Sequence, residues 1–515
     1  MTGKYLIAGA LVRGAIILAG ALAVFSLNCH AGSFEFTPGC DKALQSVMMF
    51  RFHEAQTLLD QEKRSGSGNL MPWYIENYID FLILFTGEDI TYLEQARSRR
   101  DERIKQLESG DKSSPYYRFC LAELNIQWAF ARLKFKEYTA AGLELRRANE
   151  LLKENQARYP GFLPNRVGLG LMHALSGVIP ENYKWLAGLI GLEGDLEQGL
   201  DELRKAAEYD GPEPFTRSLK VPACVFSALI NASLKNDKEA ALSMIARFES
   251  DADLRSFEYS PIVIYTKASV YLKTGNNARA LDALARRYDS KSSDHLYFLD
   301  YLNGIALLND LDPSSSASFR VFLDGFTGTN YIKSAWQKLA WAALIEGDTL
   351  SYRNQIRMAL TRGYKEVDED KQAWLEAGSE QIPNIQLLKA RLLFDGGYYN
   401  RALETLLNQS LTQYIRDKKD LAEYYYRLGR IYQSVGQDNK ALNNYRLAVQ
   451  QGKGLPQYVA AGAALQMGLI HEHNRRLRSA DSCYRLCLSM DYREYKTSLS
   501  QKARAGLARI KKELP

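Results

Sequence analysis

Side chains capable of chemistry are present, but their spacing builds no catalytic motif. A His-Glu-x-x-His pair would hold zinc, a Gly-x-x-x-x-Gly-Lys-Ser/Thr loop would cradle phosphates, and a Gly-x-Ser-x-Gly elbow would expose a nucleophile. None of the three occurs in the 515 residues. His471 and His473 are two apart, so on a helix they point to different sides. Cys483 and Cys487 are four apart and share a helical face, where two thiols could ligate a metal. No His or Asp cluster completes that set, so packing between helices is the plainer reading. Setting aside Cys29 in the leader, the five cysteines Cys40, Cys120, Cys224, Cys483 and Cys487 are scattered and odd in number, which is not a disulfide framework. Asp368, Glu369 and Asp370 read as a solvated loop run rather than an acid–base pair. The expectation is therefore no enzyme, no cofactor and no metal.

The stretch that sets the pattern for the elements is Tyr424 to Val449. Tyr425, Leu428, Gly429 and Tyr432 recur at three- and four-residue spacing and share one face of a first helix. Gly436-Gln437-Asp438 supplies turn formers. Ala441, Tyr445 and Ala448 mark one face of a second helix. Gly429 and Ala441 leave room where the two helices cross, with Tyr432 and Tyr445 filling the space beside them. This stretch resembles the tetratricopeptide repeat, a helix–turn–helix unit of about 34 residues that must stack on neighbours to bury its apolar face. The fold expected is all-α, a tetratricopeptide-like helix–turn–helix solenoid, with more than about 60% helix against the usual one-third.

The composition is ordinary globular, 46% hydrophobic and 24% charged. The 66 basic and 60 acidic residues are well mixed at a net charge of +6, without a long basic run, so nucleic acid is not an expected partner. Residues 1–31 look like an export signal: Lys4 and Arg13 precede the apolar Gly14–Leu27, and Cys29-His30-Ala31 offers small residues for cleavage after Ala31. Cleavage, retention as a membrane anchor, and lipidation at Cys29 all stay open. Residues 32–210 form an irregular helical region. Residues 211–515 form the solenoid, with Tyr495–Leu514 as a polar capping helix.

In the N-terminal region, Phe50 to Leu59 suggests the second helix of a hairpin and Trp73 to Phe85 an aromatic helix. Glu94 to Glu108 reads as a solvated charged face. Trp128 and Ala129 pair with Ala141, Leu145 and Ala148 in another hairpin. Residues 159–210 break the pattern with an apolar run, Val167–Val178, then Pro180 and the apolar Trp185–Leu192. Gly168-Leu169-Gly170-Leu171, Ile179-Pro180, Gly191-Leu192-Glu193-Gly194-Asp195 and Gly199-Leu200 resemble the tetratricopeptide-repeat-39 type of mitochondrial outer-membrane and cytosolic proteins, a resemblance that implies helical architecture. A buried helix pair packed through glycines is the plainer reading, and a contact surface for a membrane, a partner or a small apolar ligand the alternative.

From residue 215 the pattern recurs. Equivalent small residues Ala268, Gly304, Ala340, Ala390, Gly429 and Gly468 are spaced 36, 36, 50, 39 and 39 apart. The gap of 50 is assigned to an extra loop, Asp368–Pro383. In a stack of this kind first helices line a concave groove that takes a partner's peptide or helix. Spacing places Tyr265, Lys273, Arg391, Phe394, Tyr426, Arg430, Gln433, Leu469 and Glu472 on that groove, as candidate contacts for a protein partner. The repeat's carboxylate-clamp version uses Lys and Asn where Tyr426 and Arg430 stand, so binding of a chaperone C-terminus is not implied.

Overall fold

The computed structural model describes residues 32–66, 68–176, 194–287, 293–379, 381–407, 415 and 417–511. Of these, 77% are helical. The β pairing among them is limited to two isolated bridges, Gly32 with Gly110 and Ser33 with Asn69. The chain is an all-α solenoid in which most helices pack on their successor or on the next helix but one. Among the described residues, no helix is long and apolar enough to cross a membrane. The leader 1–31 and the apolar Trp185–Leu192 lie outside the described residues.

The hairpin at Lys418–Ser434 and Asp438–Gly452 shows why small residues recur. A Cβ on Gly429 would stand 2.5 Å from the Tyr445 ring, so only glycine lets the helices cross with the tyrosine between them. The same contact repeats one unit on, between Gly468 and Tyr484, and earlier between Gly304 and Phe319. Gly436 has φ +75°, and its turn needs the left-handed conformation that glycine adopts freely.

Two sequence expectations are corrected. Asp368–Pro383 is not a loop: Asp368–Gly378 is a helix packed on Ile332–Ile345 and Thr349–Thr361. Asp370 is fully buried there rather than solvated. Its carboxylate accepts from the Tyr331 N–H (2.6 Å) and the Ser334 N–H (2.8 Å), which satisfies the first turn of the Ile332–Ile345 helix from outside the chain's local sequence. Nor is the charged helix Ile90–Glu108 solvated all round. Its inner face carries Arg103, 3% exposed, which donates to Glu76 (2.9 Å) and Asp80 (2.6 Å) of the preceding helix. Burial alone would raise both carboxyls, but the neighbouring cations outweigh it and hold them below their ordinary values.

The described part of the 159–210 segment is a buried helix pair. Asn165–Ser176 crosses Leu196–Ala207 where Gly170 faces Gly199, so close that a Cβ on Gly170 would lie 2.8 Å from the Gly199 carbonyl.

The solenoid also closes on itself. Ser260 Oγ donates to the Met48 carbonyl (2.5 Å), the Phe52 N–H to Asp294 (3.1 Å), and Thr327 Oγ1 to the Gly87 carbonyl (3.1 Å). These partners lie 212 to 242 residues apart. With Pro214–Ser218 packed on Pro38–Met48, these bonds tie the first described helices to residues 214–327. A single buried core runs from Cys40 to Leu392, with smaller cores continuing to Ile510.

Candidate functional site: the inner channel

First helices touch first helices: Phe298–Asn309 and Ile332–Ile345 both meet Ile385–Asp395, which meets Lys418–Ser434. Two connected hollows open on this surface, of about 240 Å³ and about 380 Å³, and both are lined by Lys338, Trp341, Glu369 and Arg391.

Trp341 sits at the junction. Its indole N–H donates to Glu376 Oε1 (2.7 Å), and Gln337 Nε2 donates to Glu376 Oε2 (2.6 Å). The unexpected Asp368–Gly378 helix thus fixes the indole through one carboxylate. Lys338 Nζ stands 3.6 Å and the Arg391 guanidinium carbon 4.9 Å from the centroid of that ring. Cations over an indole face are attracted to its π-electrons. Burial, aided by the Arg391 charge, pushes the Lys338 amine down to about 7. Its nitrogen donates to the neutral Gln337 Oε1 at 2.7 Å.

The far wall is acidic and aromatic. Arg427 donates to Glu423 (2.9 Å) and to Tyr458 Oη (3.2 Å), and Tyr458 meets Tyr495 edge to face. Glu423 would be raised by burial but is held below its ordinary value by Arg427. Asp420 and Glu494, without such a partner close by, are raised by burial.

The residues expected on the groove separate into two groups. Lys273 and Arg391 line the hollows, and Lys273 is exposed. Tyr265 is half-buried against the main core. Tyr426 is a correction: at 3% exposure it is core, packed against the Tyr445 and Tyr458 rings in space that Gly462 leaves free. Phe394 is likewise buried, against Tyr399. Arg430 lies between them, its guanidinium carbon 4.8 Å from the Phe394 centroid, and donates to Tyr426 Oη (3.2 Å). Gln433 turns to its hairpin partner and accepts from Tyr445 Oη (2.6 Å). Glu472 does the same for Tyr484 one unit on, and also pairs with Arg509 (2.7 Å). Leu469 packs half-buried in the last core.

Sequence spacing missed Lys338, Trp341, Glu376, Arg427, Tyr458 and Tyr495. The one signal for them was the 50-residue gap between Ala340 and Ala390, which marks where the inserted helix enters. Among the described residues, no group of three or more His, Cys, Asp or Glu could hold a metal ion. The described thiols are free cysteines, and Cys40, Cys120, Cys224 and Cys487 are buried.

No curated protein matches this chain. A family model, the tetratricopeptide repeat, matches residues 422–451, the hairpin built on Gly429 and Tyr445. With the same glycine–tyrosine contact repeated one unit later, that match supports a tetratricopeptide-repeat protein.

Proposed function

We propose that the chain is a non-enzymatic scaffold of the cell envelope that takes a segment of a protein partner into its inner channel. The observation that carries this reading is the junction at Trp341, where Lys338 and Arg391 gather over one indole at the mouth of both hollows. Aromatic and Arg side chains are the usual anchors of interfaces. A helical-repeat fold with a repeat-family match fits a protein-interaction role. Export rests on the leader alone, with Lys4 and Arg13 before the apolar Gly14–Leu27. The alternative of a lipid or small apolar ligand held by residues 167–192 draws no support from Val167–Ala174, which are buried among neighbouring helices.

Capture of partners from an envelope fraction tests the reading. The Lys273→Glu/Arg391→Glu variant should keep its helical circular dichroism and lose the captured protein. Arg485→Glu, on a side chain 70% exposed and away from the channel, should keep it. Equal capture by both variants would move the binding surface off the channel. N-terminal sequencing of the mature protein in that fraction separates cleaved, anchored and lipidated forms, and its absence from the envelope would refute export.

A further inference from the structure

We propose that the exposed flank of the Thr349–Thr361 helix, the turn after it and Trp374 form a docking surface for an anionic membrane. None of its side chains lines either hollow of the channel. The surface therefore goes beyond the partner reading above and does not depend on it.

The helix buries Tyr352, Ile356 and Ala359, and it packs on Ile332–Ile345 and Asp368–Gly378. A different flank carries Leu350, Arg353, Arg357 and Leu360, which are spaced three, four and three apart and so share one side. All four are exposed, and Leu350, at 71%, is the most exposed large hydrophobic side chain among the described residues. Lys333 Nζ donates to the Ala359 (2.8 Å) and Leu360 (3.2 Å) carbonyls at the helix end, and Gly363, at φ +70°, turns the chain. Tyr364 and Trp374 are exposed beyond that turn. Lys365 Nζ stands 3.8 Å from the Trp374 ring centroid, which joins the turn to the Asp368–Gly378 helix in one patch.

The charge of this strip is one-sided. Among the described residues, Arg353, Arg357, Arg362 and Lys365 have no ion-pair partner. The acids of residues 348–368 are all engaged: Glu366 pairs with Lys136 (2.7 Å), Asp368 with Lys371 (3.2 Å), and Asp348 accepts from the Ser351 N–H (2.9 Å). Unbalanced cations call for an anionic partner. The apolar residues between them select its kind. Nucleic acid would leave Leu350 and Leu360 without a role. A membrane interface takes Leu, Tyr and Trp into the headgroup region while Arg and Lys heads stay at the phosphates. Clustered exposed apolar side chains mark a contact surface, and this cluster lies on a helix flank and a turn rather than in a hollow, a shape suited to a lipid surface.

The test is binding of the full chain to phosphatidylcholine vesicles with and without phosphatidylglycerol, and to vesicles whose phosphatidylglycerol has brominated acyl chains, which quench tryptophan on contact. Residues 1–31 hold no tryptophan, so quenching reports the rest of the chain. Binding should require phosphatidylglycerol and weaken with salt. A Lys or Arg near such a surface strengthens binding about fivefold, so Arg353→Gln/Arg357→Gln should bind on the order of 25-fold more weakly. Both arginines are exposed, so that variant should keep its helical circular dichroism. Quenching by the brominated lipid should be lost in Trp374→Phe. Binding that is equal without phosphatidylglycerol, or unchanged in the arginine variant, would overturn the surface and leave the leader as the membrane contact. Quenching retained in Trp374→Phe would overturn it in favour of another tryptophan, such as Trp185. Arginine-dependent binding with no quenching in the unsubstituted chain would overturn lipid docking in favour of a surface for an acidic protein. The channel reading is judged by partner capture alone, so the two can fail separately.

Discussion

At the scale of single residues, the molecule distinguishes glycines that look alike in the sequence. Gly429 is a packing glycine: a Cβ there meets the Tyr445 ring at 2.5 Å, and the larger Leu must push the ring or the helix aside. Overpacking of this kind costs about 1–3 kcal/mol, so Gly429→Leu should lower the denaturation midpoint clearly. Gly436 is a conformational glycine with open space around it and φ +75°. Gly436→Ala should therefore cost only about 1 kcal/mol of backbone strain, and it should not disturb the Tyr445 environment in near-ultraviolet circular dichroism. An unchanged midpoint for Gly429→Leu would contradict the crossing described above. Lys338 gives a prediction in pH. Its folded value of about 7 lies below the roughly 10.4 of an unfolded lysine. Between these values the unfolded chain holds a proton that the folded chain lacks, so this residue makes stability rise with pH across that window. Below about pH 7 both states are charged and the burial penalty is complete. Lys338→Met should thus raise the urea midpoint more at pH 6 than at pH 9.5. The same gain at both would mean that the amine is solvated.

At the scale of elements, the hairpins were legible because their signal is local. Helical spacing and a small residue on the first helix recur in Pro261–Thr274 with Asn277–Ala285, where it is Ala268, as in Lys418–Ser434 with Asp438–Gly452, where it is Gly429. The Asp368–Gly378 helix was not legible. Its sequence opens with three acidic residues and shows no clear apolar stripe, and a loop fits that composition as well as a helix does. What makes it a helix is tertiary: Asp370 and Glu376 bind the Ile332–Ile345 helix, so its carboxylates do the docking that apolar residues usually do. Groove positions failed for a related reason. Spacing tells which residues share a face with Arg430, but not that the next repeat covers Tyr426 or that Tyr445 reaches back to Gln433. Burial pushes the Asp370 carboxyl up to about 6, with the Ser334 and Tyr331 N–H groups opposing it. Asp370→Ala removes both acceptors and leaves two amides of a helix start unsatisfied, which should cost about 1–2 kcal/mol. Hydrogen exchange should quicken at Tyr331 and Ser334 before it does elsewhere in that helix. Protection unchanged at both amides would mean that the inserted helix does not cap its neighbour.

At the scale of the whole molecule, the solenoid is held by contacts that no repeat ruler can reach. Glu88 is the clearest. It closes the Met71–Gly87 helix in a left-handed conformation, φ +53°, and is 5% exposed. One of its oxygens accepts from the Thr329 N–H (3.3 Å), the Asn330 N–H (3.3 Å) and Asn330 Nδ2 (2.9 Å), while the other pairs with Lys134 (3.0 Å). One side chain thus joins the end of the Met71–Gly87 helix to a segment some 242 residues later. Simple repeat arrays have only nearest-neighbour interfaces, and their stability is roughly a sum along the chain. A contact this distant in sequence adds coupling between remote repeats. Glu88→Ala should have two effects that a purely linear array would not show together. It should destabilise by about 3–5 kcal/mol, the scale for removing one partner of a buried charge pair. It should also speed amide exchange at Thr329 and Asn330, although both are remote in sequence. Glu88→Gln keeps the shape and an acceptor while removing the charge, so it should fall between wild type and alanine at Asn330. If exchange quickened only around residues 84–90 in Glu88→Ala, the two segments would be neighbours without coupling. Quickening at both places would show that the first repeats and the channel-forming ones fold as one cooperative body.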